Sequence, residues 1–482
     1  MDHETNATRR RFLSSAAALA AGAAGSTIGR PAFAADAHTK PFAPRRLLLK
    51  NGVVLSVDAK VGDFDRADVL IEDGKIAAIQ PNLSAPGAMV IDCSNRIVMP
   101  GFIDTHHHCY QGQLRNVLGN GLLVDYFRDI QGVTPPYRPE DAYIGEVLSG
   151  LRSIDAGITM VTDTSQVCHS PEHSDACIQG LAESGVRSLY AYSPGIGPKV
   201  LYPQDIERIA KRYFASRDQL LTLAQNCPVN SDVWAVGRKL GVRIFAHSVR
   251  GSVSSPDNVE KIARAGLVKD DNTFIHFTGA TPAQMKMLKD AGASVSIAAP
   301  IEMAMRHGMP PIQGALDAGV RISLSSDVET TMAADMFTQL RSVFTLQRAL
   351  VNERVLDGEK TPPPLLTTRD VVRFATIEGA HANGIGDRTG SVTPGKYADI
   401  ILLRTDMPNV MPLNNAYGAV VTGMDTSNVD TVIIGGKIMK QNGRLLGVDW
   451  NRLRREAEQS RDFLFANMGW KKSPTDNSLP GH

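Results

Sequence analysis

The sequence predicts a (β/α)8 barrel carrying a small β-sandwich built from both ends of the chain. Three observations predict it. Eight apolar, β-rich runs alternate with helical stretches between residues 102 and 327. Two segments that flank this middle, 46–100 and 395–447, carry short β-rich runs broken by turn residues. At 482 residues the chain can bury a large core, and one domain with an appendage is the natural expectation. The expected division is a leader over 1–34, sandwich over 46–100, barrel over 101–394, sandwich again over 395–447, and a helix within 448–470.

The leader comes first. Thr8-Arg9-Arg10-Arg11-Phe12-Leu13 precedes the apolar stretch Ala16–Ile28, and Ala32-Phe33-Ala34 supplies small residues where a signal peptidase reads. The paired arginines ahead of Phe-Leu resemble a twin-arginine signal. Cleavage after Ala34 and export of the folded protein to the periplasm are expected. Five cysteines (93, 109, 168, 177 and 227) are scattered, and an odd count leaves at least one thiol free. Folding in a reducing compartment before export suits them.

The first sandwich segment reads as Leu47–Lys50, Val53–Ser56, Val69–Glu72, Ile76–Gln80, Met89–Asp92 and Arg96–Met99. Asn51-Gly52 and Asp73-Gly74 are hairpin signals. The texture returns in Asp399–Leu403, Val429–Ile434 and Lys437–Gln441, with Gly435-Gly436 between the last two.

The barrel strands read as Phe102–His106, Ile158–Asp163, Arg187–Tyr192, Leu220–Asn226, Val242–His247, Thr273–Phe277, Ser294–Ala298 and Arg321–Asp327. Helices fall at Asp141–Asp155, Pro171–Ser184, Pro203–Ala215, Asp232–Leu240, Asn258–Ala265, Pro282–Asp290 and Pro311–Ala318. Pro171, Pro282 and Pro311 stand where first-turn prolines belong, and Ser170 and Thr281 are N-cap candidates. Asp449–Asn467 reads as a charged amphipathic helix, used for packing or for contact in a homo-oligomer.

Charge and hydropathy exclude two partner classes. With 51 basic and 50 acidic residues, net +1, no basic face for nucleic acid is implied. The mature region has no apolar run long enough to span a membrane. A small-molecule substrate remains.

The polar strand ends carry the chemistry. Strand one ends in His106-His107-His108, and alternation points His106 and His108 one way and His107 the other. Strand five ends in His247, strand six in His276 and strand eight in Asp327, while strand seven runs into Pro300-Ile301-Glu302. In a (β/α)8 barrel these ends share one face, where active sites lie. Three nitrogen donors and a carboxylate suit one divalent metal ion, zinc first and iron as the alternative. No lysine ends strand three or four, which argues against a second, carbamate-bridged ion.

The chain resembles the amidohydrolase superfamily, within it the atrazine chlorohydrolase and guanine/cytosine deaminase-like branch. The resemblance rests on Pro100-Gly101-Phe102-Ile103-Asp104-Thr105-His106-His107-His108 with Tyr110-Gln111 after it, on His247, His276 and Ser325-Ser326-Asp327, and on Gly390-Ser391-Val392-Thr393-Pro394-Gly395-Lys396-Tyr397-Ala398-Asp399. It implies that His106, His108, His247 and Asp327 hold the metal and that His276 contacts substrate or water beside it. It implies a hydrolase attacking an sp² carbon, with Asp327 moving the proton and His276 stabilising developing charge. Hydrolysis of a non-peptide C–N bond in an amide, cyclic amide or amidine is the leading expectation. The alternatives are deamination of a heterocycle and an inactive binding protein on the same fold.

One departure bears on that choice. Deaminases of the branch usually carry His-x-x-Glu after strand five, and this chain has His247-Ser248-Val249-Arg250. Arginine stays protonated and cannot shuttle a proton. Glu302 is the first candidate to substitute, with Glu329 next. Arg250 is expected to bind an anionic substrate group, and Gln111, His169 and His307 complete the expected substrate contacts. His169 and His173, four apart, look like a helix start rather than a second metal site, and His381 looks structural.

Overall fold

The computed structural model describes residues 40–473 and 475; the Arg9-Arg10 pair and the Ala32-Phe33-Ala34 site lie outside the described residues. The chain opens with five strands: β1 (Arg46–Val54), β2 (Phe64–Glu72), β3 (Lys75–Gln80), β4 (Met89–Asp92) and β5 (Arg96–Pro100). Asp73-Gly74 makes the β2–β3 turn with φ of 46° and 81°, the positive values a two-residue hairpin of this twist needs. Asn51-Gly52 is not a hairpin. The two runs expected on either side of it form the single strand β1, and the pair sits where the β1–β2 register shifts. Asn51 takes φ 69° there, so the turn-forming residues make a bulge.

The barrel follows: β6 (Phe102–His107), β7 (Ile158–Asp163), β8 (Arg187–Tyr192), β9 (Leu221–Asn226), β10 (Arg243–Ser248), β11 (Asn272–His276), β12 (Ser294–Ile297) and β13 (Arg321–Leu324). Each pairs in parallel with the next in chain order. The ring closes just past β13, where Asp327 N donates to His106 O (3.0 Å) and His108 N to Asp327 O (2.9 Å). Closure is therefore made by the backbone of the residues expected to bind the metal. The interior holds Ile103, Met160, Leu189, Phe245 and Ile275, with Ala380 and Ile385 packed into the same cluster. A polar layer joins Thr105 to Ser296 (2.7 Å) and Ser323 (2.9 Å).

All seven expected helices form, within a few residues of their expected bounds. Thr281 caps its helix, accepting from Gln284 N at 3.3 Å while Gln284 reaches back at 2.9 Å. Ser170 does not cap; its hydroxyl bonds Glu172 and His173. Met336–Leu356 and Thr368–Phe374 are the longest of the helices not expected. They complete the outer layer after β13.

Four late strands return to the first sheet: β14 (Ile400–Arg404), β15 (Val429–Ile434), β16 (Lys437–Gln441) and β17 (Arg444–Leu445). One nine-stranded sheet results, with order β17-β16-β15-β14-β5-β1-β2-β3 and β4 beside β1. Leu47, Leu49, Val69, Val98, Ile400, Leu402 and Ile433 form its buried core. Arg187 on β8 ties the barrel to the re-entry segment, bonding both oxygens of Asp399 at 2.8 and 3.1 Å. The helix Trp450–Met468, capped by Asp449, packs through Leu453 on Ile144 and Val147 of the Pro139–Asp155 helix. All five cysteines are free and buried. No helix among the described residues is long and apolar enough to cross a membrane.

Candidate active site

The five polar strand ends meet. His106 Nε2 lies 3.1 Å from Asp327 Oδ1 and 3.3 Å from His247 Nε2. His108 Nε2 stands 3.5 Å, and His276 Nε2 3.6 Å, from the carboxylate of Asp327. Donor atoms of His106, His108 and His247 fall within 4.8 Å of one another, as do those of His106, His276 and Asp327. Three imidazole nitrogens aimed at one point, with a buried carboxylate, form a donor set that fits a divalent cation. Burial and the crowding of like groups push His247 well below its ordinary pKa and His108 down to about 3. Neutral imidazole is the form that binds a metal.

Thr164, at the end of β7, orients both first-strand histidines of the cluster. Its carbonyl accepts from His108 Nδ1 at 3.0 Å, and its hydroxyl meets His106 Nδ1 at 3.2 Å. Sequence reading missed this residue, since a threonine after a strand carries no signal of its own. The backbone at His276, Phe277 and Asp327 takes φ of 69°, 52° and 63°. Such left-handed residues cost energy and cluster at functional sites.

His107 turns away, as alternation predicts. Its ring nitrogens meet Ser326 Oγ (2.7 Å) and Glu329 Oε1 (3.1 Å), and Glu329 is also paired with Arg115. Glu329 is thereby committed to holding the closure strand. Glu302 is fully buried behind His276, with Oε1 3.1 Å from His276 Nδ1 and accepting from Ala298 N at 3.0 Å. Burial pulls the His276 pKa down, but Glu302 and Asp327 outweigh it and raise it.

A cavity of about 320 Å³ opens over the cluster. Asp327, His108, His247 and His276 form its polar floor, and Leu123, Tyr126, Phe127, Val249, Met305 and Val328 contribute apolar walls. His307 lines it as expected, its ring 4.7 Å from that of His276. Three other expected contacts need correction. His169 is spent on the backbone, accepting from Ile196 N (2.9 Å) and bonding Thr134 O (2.9 Å), because both ring nitrogens are claimed by loops. Gln111 does not line the cavity; its amide donates to Tyr110 and Tyr126 hydroxyls at 2.9 and 2.7 Å, so it holds a wall residue. Arg250 is exposed and lines a neighbouring cleft with Met303, Arg306 and Met309, whereas Val249 before it and Ser252, Val253 and Ser254 after it line the cavity.

Comparison with known proteins decides the family. The model of the amidohydrolase family matches residues 97–226 and 243–439. The chain belongs to the amidohydrolase family. Among its relatives is a 5-methylthioadenosine/S-adenosylhomocysteine deaminase of Desulforudis audaxviator, 25% identical over 88% of this chain and 100% of the relative. A 5'-deoxyadenosine deaminase of Methanosarcina mazei is 24% identical over 88% of this chain and 99% of the relative. Solved structures share the fold. An adenosine deaminase from Xanthomonas campestris with bound zinc has a TM-score of 0.76 at 22% identity, covering 88% of this chain and 100% of that one. A mutant atrazine chlorohydrolase from Arthrobacter aurescens, complexed with zinc and atraton, has a TM-score of 0.77 at 20% identity, covering 86% and 100%. Every ligand position expected of this amidohydrolase from its strand ends lies in the cluster.

Proposed function

We propose that this amidohydrolase cleaves the C–N bond of an amide, cyclic amide or amidine with a single divalent ion, zinc or alternatively iron. The observation that carries the reading is the cavity lining: Asp327 is its one carboxylate among the described residues. No second carboxylate lines the cavity, and Arg250, which stands where the deaminases carry glutamate, lies outside it.

His106, His108, His247 and Asp327 would hold the ion, which when bound lowers the pKa of water toward neutrality. Asp327 accepts the proton of the attacking water and delivers it to the departing nitrogen as the C–O bond forms and the C–N bond breaks. His276, whose protonated form Glu302 favours, donates to the oxygen on which negative charge grows. Tyr126 and the apolar wall exclude bulk water from that side.

Deamination of a heterocycle is the second reading. The names of the relatives favour it, and so does the His276–Glu302 pair, which can supply an acid by another route. The test is a screen of zinc-loaded protein against amides, cyclic amides and aminated heterocycles, following ammonia and mass together. Addition of water to a secondary or cyclic amide without ammonia supports amide hydrolysis. Exchange of the ring amino group of an aminated heterocycle for oxygen, with ammonia release, establishes deamination instead. Full zinc occupancy without any turnover would mark a binding protein.

A further inference from the structure

The cavity lining carries no charged side chain outside the metal cluster. The other titratable wall residues are His307, Tyr126 and Cys227. Burial first, then the neighbouring His276, lower the His307 pKa to about 3, and burial raises the other two, so all three stay neutral. Large apolar side chains are also exposed on the segments that carry the exposed Arg128, Lys199 and Arg250. Val124, Phe127, Ile196, Leu201, Val253 and Met309 are exposed, and all stand on the connections that follow the C-terminal ends of barrel strands, Val124 and Phe127 in short helical turns there. Large apolar side chains left in water at one end of a molecule mark a binding surface more often than chance. Two of these residues say what it binds. Phe127 and Val253 line the cavity and are still 51% and 91% exposed. Apolar side chains therefore reach from the cavity out to the rim, interleaved with the uncharged polar residues Gln131, Gln166, Asn226, Ser252 and Ser254.

We infer that the substrate is an uncharged amide whose acyl or aryl body is apolar and longer than the cavity, its far end lying across Phe127 and Val253. This deepens the amide reading and rests on it. An anionic body would meet no counter-charge within the wall, and Arg250 opens onto a different cleft.

Straight-chain hydroxamic acids test it, from acetohydroxamic to decanohydroxamic acid. Each carries the same metal-chelating head and a growing apolar tail. Titrated by calorimetry into the zinc-loaded protein, they should bind more tightly with length, by up to about fourfold per methylene while the tail stays within the wall. The double variant Phe127→Ser/Val253→Ser should flatten the gain for the longest members and leave acetohydroxamic acid unchanged. Both positions are exposed, so a thermal melt should match wild type. Affinity independent of chain length would overturn the proposal, as would an equal loss across the whole series. Sedimentation decides the remaining occupant: a wild-type dimer that the double variant turns into monomer would assign the rim to a second copy and overturn the proposal. Hydroxamate binding needs no turnover. A failed amide screen thus leaves this measurement standing, and a flat series leaves the amide reading standing.

Discussion

His276 is held from two sides, and the pairing defines what Glu302 does. Glu302 sits 3.1 Å from Nδ1, while Nε2 faces Asp327 at 3.6 Å. Glu302 therefore reaches the reacting atoms only through the imidazole, as a positioning residue. It was expected to shuttle protons itself, because chain order placed it at the barrel mouth. Distance along the chain does not show that the Ala299–Ala304 helix turns its first-turn carboxylate inward, onto His276. Glu302→Gln keeps the shape and loses the charge. It should lower kcat by about tenfold to a hundredfold, the usual cost of removing a partner that orients a site histidine. The sign of the pH effect follows. Glu302 raises the His276 pKa. Without its charge that pKa falls, so the alkaline limb of the kcat profile should move to lower pH. Zinc content by elemental analysis should stay at the wild-type value. An unshifted profile with lost zinc would instead make Glu302 a support of the metal centre.

At the level of elements, the strand ends were the most legible part of the chain. Periodicity fixes where a barrel strand stops, and the topology sends every strand's end to one face. His106, His108, His247, His276 and Asp327 could be collected for that reason. Loops were not legible: Arg250 and His169 stand on turns whose direction depends on packing, and neither enters the cavity. The end of β7 hides a further group. Ser165 Oγ lies 2.5 Å from Glu146 Oε1 and also bonds Asp163, one O–H serving two acids, and Asp163 accepts from Cys109 N at 3.1 Å. Burial raises the pKa of both acids, Asp163 to about 6, and Asp163 raises Glu146 further. The folded state then binds a proton that the unfolded chain releases near the ordinary carboxylate values of 3.8 and 4.5. Its stabilising effect is complete below those values and is lost as pH rises through about 6. Glu146→Gln should be more stable than wild type at neutral pH by about 1–3 kcal/mol. The two should converge in acid. Thermal melts across that window check it, and parallel curves would mean that Glu146 titrates like a solvated acid.

For the whole molecule, the decisive feature is that the first sheet needs both ends of the chain. β5 pairs with β14, and Arg96 on β5 bonds both oxygens of Asp430 on β15 at 3.1 Å, across 334 residues. Arg187 and Asp399 lock the same splice to the barrel. Pairings of such separation form late and make folding slow. The proposed metal ligands span His106 to Asp327, so the site also waits for most of the chain. Five buried free thiols would meet oxidants if that slow folding took place outside the cell membrane. We propose that the protein folds and takes its metal in the cytoplasm and is exported to the periplasm in that state, guided by Arg9-Arg10. Replacing both arginines with lysine should leave precursor in the cytoplasm, folded and carrying metal, with little mature protein in the periplasm. Fractionation with immunoblotting, followed by elemental analysis of the retained protein, reads both halves of the claim. Normal periplasmic yield from the variant would show that an unfolded route carries it. The thiols and the long-range splice would then have to survive folding outside the cytoplasm.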